Sequence, residues 1–281
     1  MSLSPAGLRI GGPVFVKTDD PVALARAHRE AGWAAALCPP IDPGDPTAAR
    51  RVRDAFAAAD VVLAEVGAWG NMVSPDAARR TASLAKVTRK LAEADALAAR
   101  CCINYLGTLD PETDFAPHAA NLTPDAFDLA VETIRGVIDA VRPTRTTFCL
   151  EMMQWIIPDS VEVYAELIVA VDRRAFAAHV DPVNIVLTPR QYFDTGKLIR
   201  HAFAVLGPHI VSCHAKDLAL RYSLGLHMDE VPPGRGGMDY VTYLREIRKL
   251  GRDTPLIIEH LGTAEEYEQA RLHLVACDRQ A

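Results

Sequence analysis

The sequence predicts an α/β fold, a single-domain (β/α)8 TIM barrel, from three observations. Eight short apolar runs recur along 281 residues. Longer helical patterns separate them, and no linker, low-complexity segment or change of composition divides residues 1–281. Most of the runs are apolar throughout rather than alternating, as a parallel sheet covered on both faces requires. Strand–helix alternation without a boundary closes into one barrel. A doubly wound open sheet fits less well, because no glycine-rich phosphate turn follows the first run.

The elements follow in order. The first run is Leu8 to Ile10. Asp20, with Pro21 behind it, offers an N-cap oxygen and a first helical residue, and Gly32 falls where that helix should stop. The second and third runs are Ala34 to Cys38 and Val61 to Val66, and Ser74-Pro75-Asp76 opens the next helix. Cys101 to Tyr105 is the fourth. Thr123-Pro124-Asp125 then starts a helix whose Phe127, Val131, Ile134, Ile138 and Val141 share one face. The remaining runs are Thr147 to Met152, Ala177 to Asp181, Ile210 to His214 and Leu256 to Glu259. Gly251 ends the helix before the last run, and Thr263 with Glu266 matches a capping box after it.

Composition narrows the function. With 49% hydrophobic and 23% charged residues the chain reads as an ordinary soluble protein. A net charge of -6 removes duplex nucleic acid as an obvious partner, since backbone binding relies on clustered Lys and Arg. Of the cysteines, none forms a C-x-x-C pair, and Cys101, Cys102, Cys149 and Cys213 sit in apolar runs, so they read as small buried hydrophobes. The N-terminus shows no charged region followed by an apolar stretch, and nothing approaches the length of a membrane span. A reducing cytoplasm is the expected compartment.

The stretch "CLEMMQWIIPDS" places Glu151 at the end of an apolar run. A buried carboxylate costs several kcal/mol unless something pairs with it. The next three runs also finish in polar groups: "AAHVDPVN" in Asp181, "IVSCHAKD" in His214 and "LIIEHLG" in Glu259. The carboxyl ends of barrel strands carry the active site, and alternation puts Cys149 with Glu151, His179 with Asp181, Ser212 with His214 and Ile257 with Glu259. Three carboxylates at close range resist ionising together, and a divalent cation removes the objection. Three oxygen donors and one imidazole suit Mn²⁺, Mg²⁺, Co²⁺ or Zn²⁺. Each residue alone reads as a solvated or structural side chain; the set of four is what points to a metal.

The order "LE", "VDPVN", "CHAKD", "PPGRGGMD" and "IIEH" resembles the xylose isomerase-like barrel superfamily, and within it the sugar-phosphate isomerase/epimerase group. The resemblance covers nearly the whole chain. It implies that Glu151, Asp181, His214 and Glu259 bind one divalent metal, with Glu151 and Glu259 also serving as an acid/base pair. One Glu would remove a proton from the carbon beside a ketose carbonyl and the other return one, while the metal holds an incipient enediolate.

Further substrate-binding candidates are Asn184, Lys216, Arg235, Glu65, Trp69 and Asn104. Asn184 reads equally as a turn residue, Lys216 as a solvated loop lysine and Trp69 as loop packing. His179 is placed one layer deeper, as a satisfied core or supporting histidine, and His260 is expected to face the helices. Gly234-Arg235-Gly236-Gly237 lacks the acidic residue common in the family's loop, which makes that rim basic and suggests an anionic substrate; it reads otherwise as a plain turn. The expected activity is a metal-dependent isomerase or epimerase of a small sugar-like, possibly charged molecule. A metal-dependent dehydratase of a polyol ketone or dehydroshikimate-like substrate is the alternative. An endonuclease IV-type enzyme lacks the needed histidines on early strands, and an inert sugar-binding relic is opposed by the intact ligand set. A homodimer is plausible in this group.

Overall fold

A computed structural model describes residues 8–251 and 253–281. The leader reading falls partly on residues 1–7, which lie outside them. Two compact units divide the chain: one runs to Leu37 and takes in Ala55–Val62 and Val180–Ala281, the other comprises Cys38–Asp54 and Leu63–His179.

In the first unit, β1 (Leu8–Gly11) pairs in parallel with β2 (Ala35–Leu37) and β10 (Thr254–Ile258), and β10 pairs with β7 (Ile210–Ala215). Helices α1 (Pro21–Glu30), α6 (Pro189–Tyr192), α7 (Thr195–Leu206), α8 (Tyr240–Lys249) and α9 (Ala264–Asp278) belong here. Gly11 is needed where β1 meets its neighbours, because a Cβ there would lie 2.5 Å from Ile257 Cδ1. An antiparallel hairpin, β8 (Asp217–Leu220) and β9 (Met228–Val231), follows β7. The sequence reading did not contain it: its residues alternate too weakly in polarity to stand out from a loop.

In the second unit, β3 (Val62–Gly67), β4 (Cys101–Asn104), β5 (Thr147–Leu150) and β6 (Phe176–Val180) pair in parallel in that order, apart from the first residue of β3 and the last of β6. They carry α3 (Ala77–Leu97), α4 (Pro124–Val141) and α5 (Val161–Val171), while α2 (Pro46–Ala58) follows β2. The strand order β1-β10-β7-β6-β5-β4-β3-β2 is that of a closed barrel, the expected (β/α)8 fold.

The caps explain most helix starts. Asp20 accepts from Val22 N and Ala23 N, Thr123 accepts from Ala126 N with Pro124 at the first position, and Thr263 and Glu266 form the capping box. One start is corrected. Asp76, not Ser74, caps α3, accepting from Arg79 N at 2.8 Å, so Pro75 lies outside the helix; a carboxylate is the stronger acceptor at a helix N-terminus. α4 buries Val131, Ile134 and Ile138 as its spacing predicts, together with the small Ala126 and Ala130. Cys101, Cys102, Cys149 and Cys213 are buried and form no disulfide among the described residues. No helix among the described residues is long and apolar enough to cross a membrane.

Tyr164 on α5 ties two strands together. Its hydroxyl donates toward Leu150 O at 2.8 Å and Ala177 O at 3.0 Å, and accepts from Leu150 N at 3.0 Å. Removing the hydroxyl strands buried backbone groups, so Tyr164→Phe should lower stability by about 1–3 kcal/mol in urea unfolding, and Tyr164→Ala by about 3–5 kcal/mol because a cavity is added.

Candidate functional site

In the first unit the strand ends gather charge. β10 and β7 are in register with Ile257 opposite His214, so the next inward position on β10, Glu259, stands level with Lys216 just past β7. Asp181 follows β6 directly and opens a short 3-10 turn, Pro182–Ile185, by accepting from Val183 N at 3.1 Å. That turn leaves its second carboxylate oxygen for other partners.

Four side chains meet here. Lys216 Nζ lies 3.0 Å from Asp181 Oδ2 and 3.2 Å from Glu259 Oε2. His214 Nδ1 lies 3.1 Å from Glu259 Oε2 and 3.8 Å from Asp181 Oδ2. Asp181, His214 and Lys216 are buried, and the Glu259 side chain is 13% exposed. Burial alone would push the Asp181 carboxyl up. The Lys216 ammonium and the His214 ring reverse this and hold it well below the usual carboxylate range. Lys216 is therefore an ion-pair partner inside the site and not a solvated loop lysine.

Buried tyrosines from α8 brace the backbone that carries these groups. Tyr243 hydroxyl donates toward Val180 O at 3.1 Å and His214 O at 3.0 Å, and Tyr240 hydroxyl toward Lys216 O at 2.7 Å. The sequence reading missed both. Their signal was present in "DYVTYL", where two tyrosines three apart share the inner helix face.

The glycine loop is organised by Asp217. Its carboxylate accepts from the backbone N–H of Leu218, Gly234, Gly236 and Met238. Burial pushes its pKa up against those four donors. Arg235 stands exposed at the tip of this loop, with no ion pair among the described residues. Asn184 is buried in the 3-10 turn.

His260 corrects an expectation. It does not face the helices: its Nδ1 is 2.9 Å from Glu230 Oε1 on β9 and its Nε2 3.6 Å from Glu259 Oε2. The strand has ended at Ile258, and His260 takes φ +60, which breaks the alternation that the expectation relied on. The bond to Glu230 pushes its pKa up.

The second unit holds the other predicted residues. Glu151 is buried just beyond β5, with its N–H donating to Asn104 O at 2.8 Å. Glu65 and His179 are buried neighbours, Oε1 to Nε2 3.4 Å apart. Asn104 commits both ends of its amide to Gly70, accepting from its N–H at 2.8 Å and donating to its carbonyl at 2.9 Å. That clamp holds Trp69, which stacks on Tyr105.

Two donors about 2.1 Å from a shared ion lie about 3 Å apart at right angles and at most about 4.2 Å apart. His214 Nδ1 stands 3.1 Å from Glu259 Oε2 and 3.8 Å from Asp181 Oδ2, each pair within that reach, and carboxylate with imidazole suits a hard or borderline divalent ion.

A family model described as "Xylose isomerase-like TIM barrel" matches residues 24–277. The chain belongs to this family. Among solved structures, a xylose isomerase domain protein from Planctomyces limnophilus shares 19% identity over 98% of both chains, with TM-score 0.66. A family protein from Mycobacterium smegmatis in complex with magnesium shares 20% over 94% of this chain and 91% of that one, at 0.62. D-Psicose 3-epimerase from Clostridium cellulolyticum H10, solved with D-tagatose, shares 15% over 97% and 98%, at 0.65. At these identities the likeness shows the fold. No curated protein sequence matches the chain.

Lys216→Met leaves the buried Asp181 carboxylate and the partly buried Glu259 carboxylate without their ammonium. It should lower the stability of metal-stripped protein by about 3–5 kcal/mol, and added Mg²⁺ or Mn²⁺ should raise the melting temperature of the variant more than that of the wild type in calorimetry. Asp181 titrates below its unfolded value, so its contribution holds above about pH 4 and is lost only as pH falls further.

Proposed function

We propose that this chain is a divalent-metal-dependent isomerase or epimerase of a small sugar, sugar acid or sugar phosphate. The observation that carries the proposal is the cluster of Asp181, His214 and Glu259 around Lys216, in which His214 Nδ1 lies 3.1 and 3.8 Å from the two carboxylate oxygens and Lys216 Nζ 3.2 and 3.0 Å from them. Charge supports it. Glu151, Asp181 and Glu259 bring three negative charges, and Lys216 with a divalent ion brings three positive ones. The four strand-end residues singled out by the family resemblance are three oxygen donors and one imidazole, so we assign the ion to Glu151, Asp181, His214 and Glu259. The magnesium complex and the D-psicose 3-epimerase among the structures of similar fold agree with this reading.

When bound, the ion acts as a Lewis acid toward a carbonyl oxygen and lowers the cost of negative charge beside it. The protein's own groups do the rest. Glu151 takes the proton from the carbon next to the carbonyl, and Glu259 returns one from the other side. Lys216 keeps Asp181 ionised and donates to a substrate oxygen. Asn184 and Glu65 line the sugar's hydroxyls, Asn104 holds Trp69 over it, and Arg235 receives a carboxylate or phosphate at the rim.

Solvent deuterium should enter a carbon-bound position of at least one ketose in a panel, read by mass spectrometry, with one divalent ion per chain. Appearance of an enone absorbance without exchange would move the assignment to a dehydratase, and neither signal across the panel would refute the proposal. Glu151→Gln and Glu259→Gln should each slow exchange by about 10²–10⁴-fold, and chelation should abolish it until metal is restored. Arg235→Ala should raise KM for the anionic members of the panel and leave the neutral ones unchanged.

A further inference from the structure

The second unit carries a feature that proton transfer does not need. Four aromatic side chains from three successive strand-end loops form a continuous arc. Trp69 follows β3, Tyr105 and Phe115 follow β4, and Trp155 follows β5. Consecutive ring centroids are 6.2, 5.1 and 5.6 Å apart: the first pair is stacked, the other two edge-to-face.

The arc is built rigidly. Trp69 takes φ +39, a left-handed backbone that a bulky residue adopts only under constraint. The constraint is visible: the Asn104 clamp grips Gly70, and Lys86 Nζ donates to Trp69 O at 2.9 Å. A side chain at Gly67 would lie 2.4 Å from Trp69 Nε1, so glycine is what lets the ring lie there. Buried asparagines tie the loops to each other. Asn71 bridges to both backbone groups of Thr108, and Asn121 donates to Trp155 O at 3.0 Å and Ala116 O at 3.2 Å.

Despite this scaffold the rings are not core. Trp69 is 39% and Phe115 41% exposed, while Tyr105 and Trp155 are half-buried. Trp155 Nε1 is a buried donor with no hydrogen-bond partner among the described residues. An apolar, preorganised surface of partly exposed rings is how ligand sites are made. The arc also connects to the proposed base, since the backbone of Glu151 hydrogen-bonds Asn104, whose side chain holds the loop of Trp69.

We propose that this arc binds the second ring of a two-ring substrate, so that the natural substrate class is a glycoside rather than a free monosaccharide. A lone sugar covers one or two of the four rings. A sugar bearing a second ring, whether another sugar or an aryl group, extends along the row and stacks its faces against the remainder. The proposal rests on the sugar-directed reading above and specifies the substrate class of the same site.

Tryptophan emission and calorimetry test this by binding, with metal-stripped and with Mg²⁺-loaded protein. Trp69 and Trp155 report from the arc, and Trp33, buried with its Nε1 on Pro13 O, supplies a constant background. The probes are methyl β-D-glucopyranoside, phenyl β-D-glucopyranoside and cellobiose. The two-ring probes should bind at least about tenfold more tightly than the methyl glucoside. Phe115→Ala should remove that preference and leave methyl glucoside binding unchanged, and Phe115→Leu, which keeps an apolar side chain, should recover only part of it. A response to phenyl glucoside alone or cellobiose alone identifies which second ring is used and upholds the class. Equal affinity for one- and two-ring probes, no binding of the two-ring probes, or a Phe115→Ala loss shared by all three overturns the proposal. A change in sedimentation of Phe115→Ala without a two-ring preference overturns it in favour of a contact between copies of the chain. Failure of deuterium exchange with monosaccharides bears on the reaction and leaves this titration independent.

Discussion

Asp181 and Glu259 share a single ammonium, that of Lys216, with Asp181 and Lys216 buried and Glu259 only slightly exposed. Much of the surrounding architecture follows from that constraint. A buried carboxylate such as Asp181 stays ionised only if positive charge is built in beside it. Lysine supplies it here because it sits one side-chain step past His214 on the same strand side, level with Glu259 across the β7–β10 ladder. The imidazole of His214 adds a further contact on the same Glu259 oxygen, and His260 a longer one.

Holding such charges at fixed distances falls to the backbone. The strand ends that carry Asp181, His214 and Lys216 would be free to shift if their carbonyls met only solvent. Instead Tyr240 and Tyr243 reach them from α8. Tyr164 does the same for β5 and β6 from α5. Tyrosine suits such bracing because its ring fills space between helix and sheet while its hydroxyl satisfies a buried carbonyl at the far end. The loops use asparagine in the same way, with a side-chain amide standing in for a missing backbone pair at Asn71, Asn104 and Asn121. Asp217 gathers the N–H groups of the glycine loop. Local order at both strand ends and loops thus comes from buried polar side chains satisfying the backbone.

The barrel was legible because apolar runs and caps are local signals. All eight barrel strands lie within one or two residues of the runs that announced them, and Asp20, Thr123 and Thr263 cap the helices they precede. The β8–β9 hairpin was not legible, since its pairing is made by a turn over weakly patterned residues. Ser74 was mistaken for a cap because two good acceptors stand two residues apart and only the packed helix selects Asp76. His260 departed from alternation because a left-handed backbone intervenes, and nothing in "IIEHLG" marks that.

By itself the sequence determined which side chains end each strand, because periodicity and caps depend on neighbours a few residues away. It therefore pointed to Glu151, Asp181, His214 and Glu259 as a set. The tertiary structure alone decided what the others do: that Lys216 lies between two carboxylates, that Asn104 grips Gly70, and that four aromatic rings from three loops form a row. Those relations join residues tens of positions apart, and their energies exist only once burial has removed the water that would otherwise pair with each group.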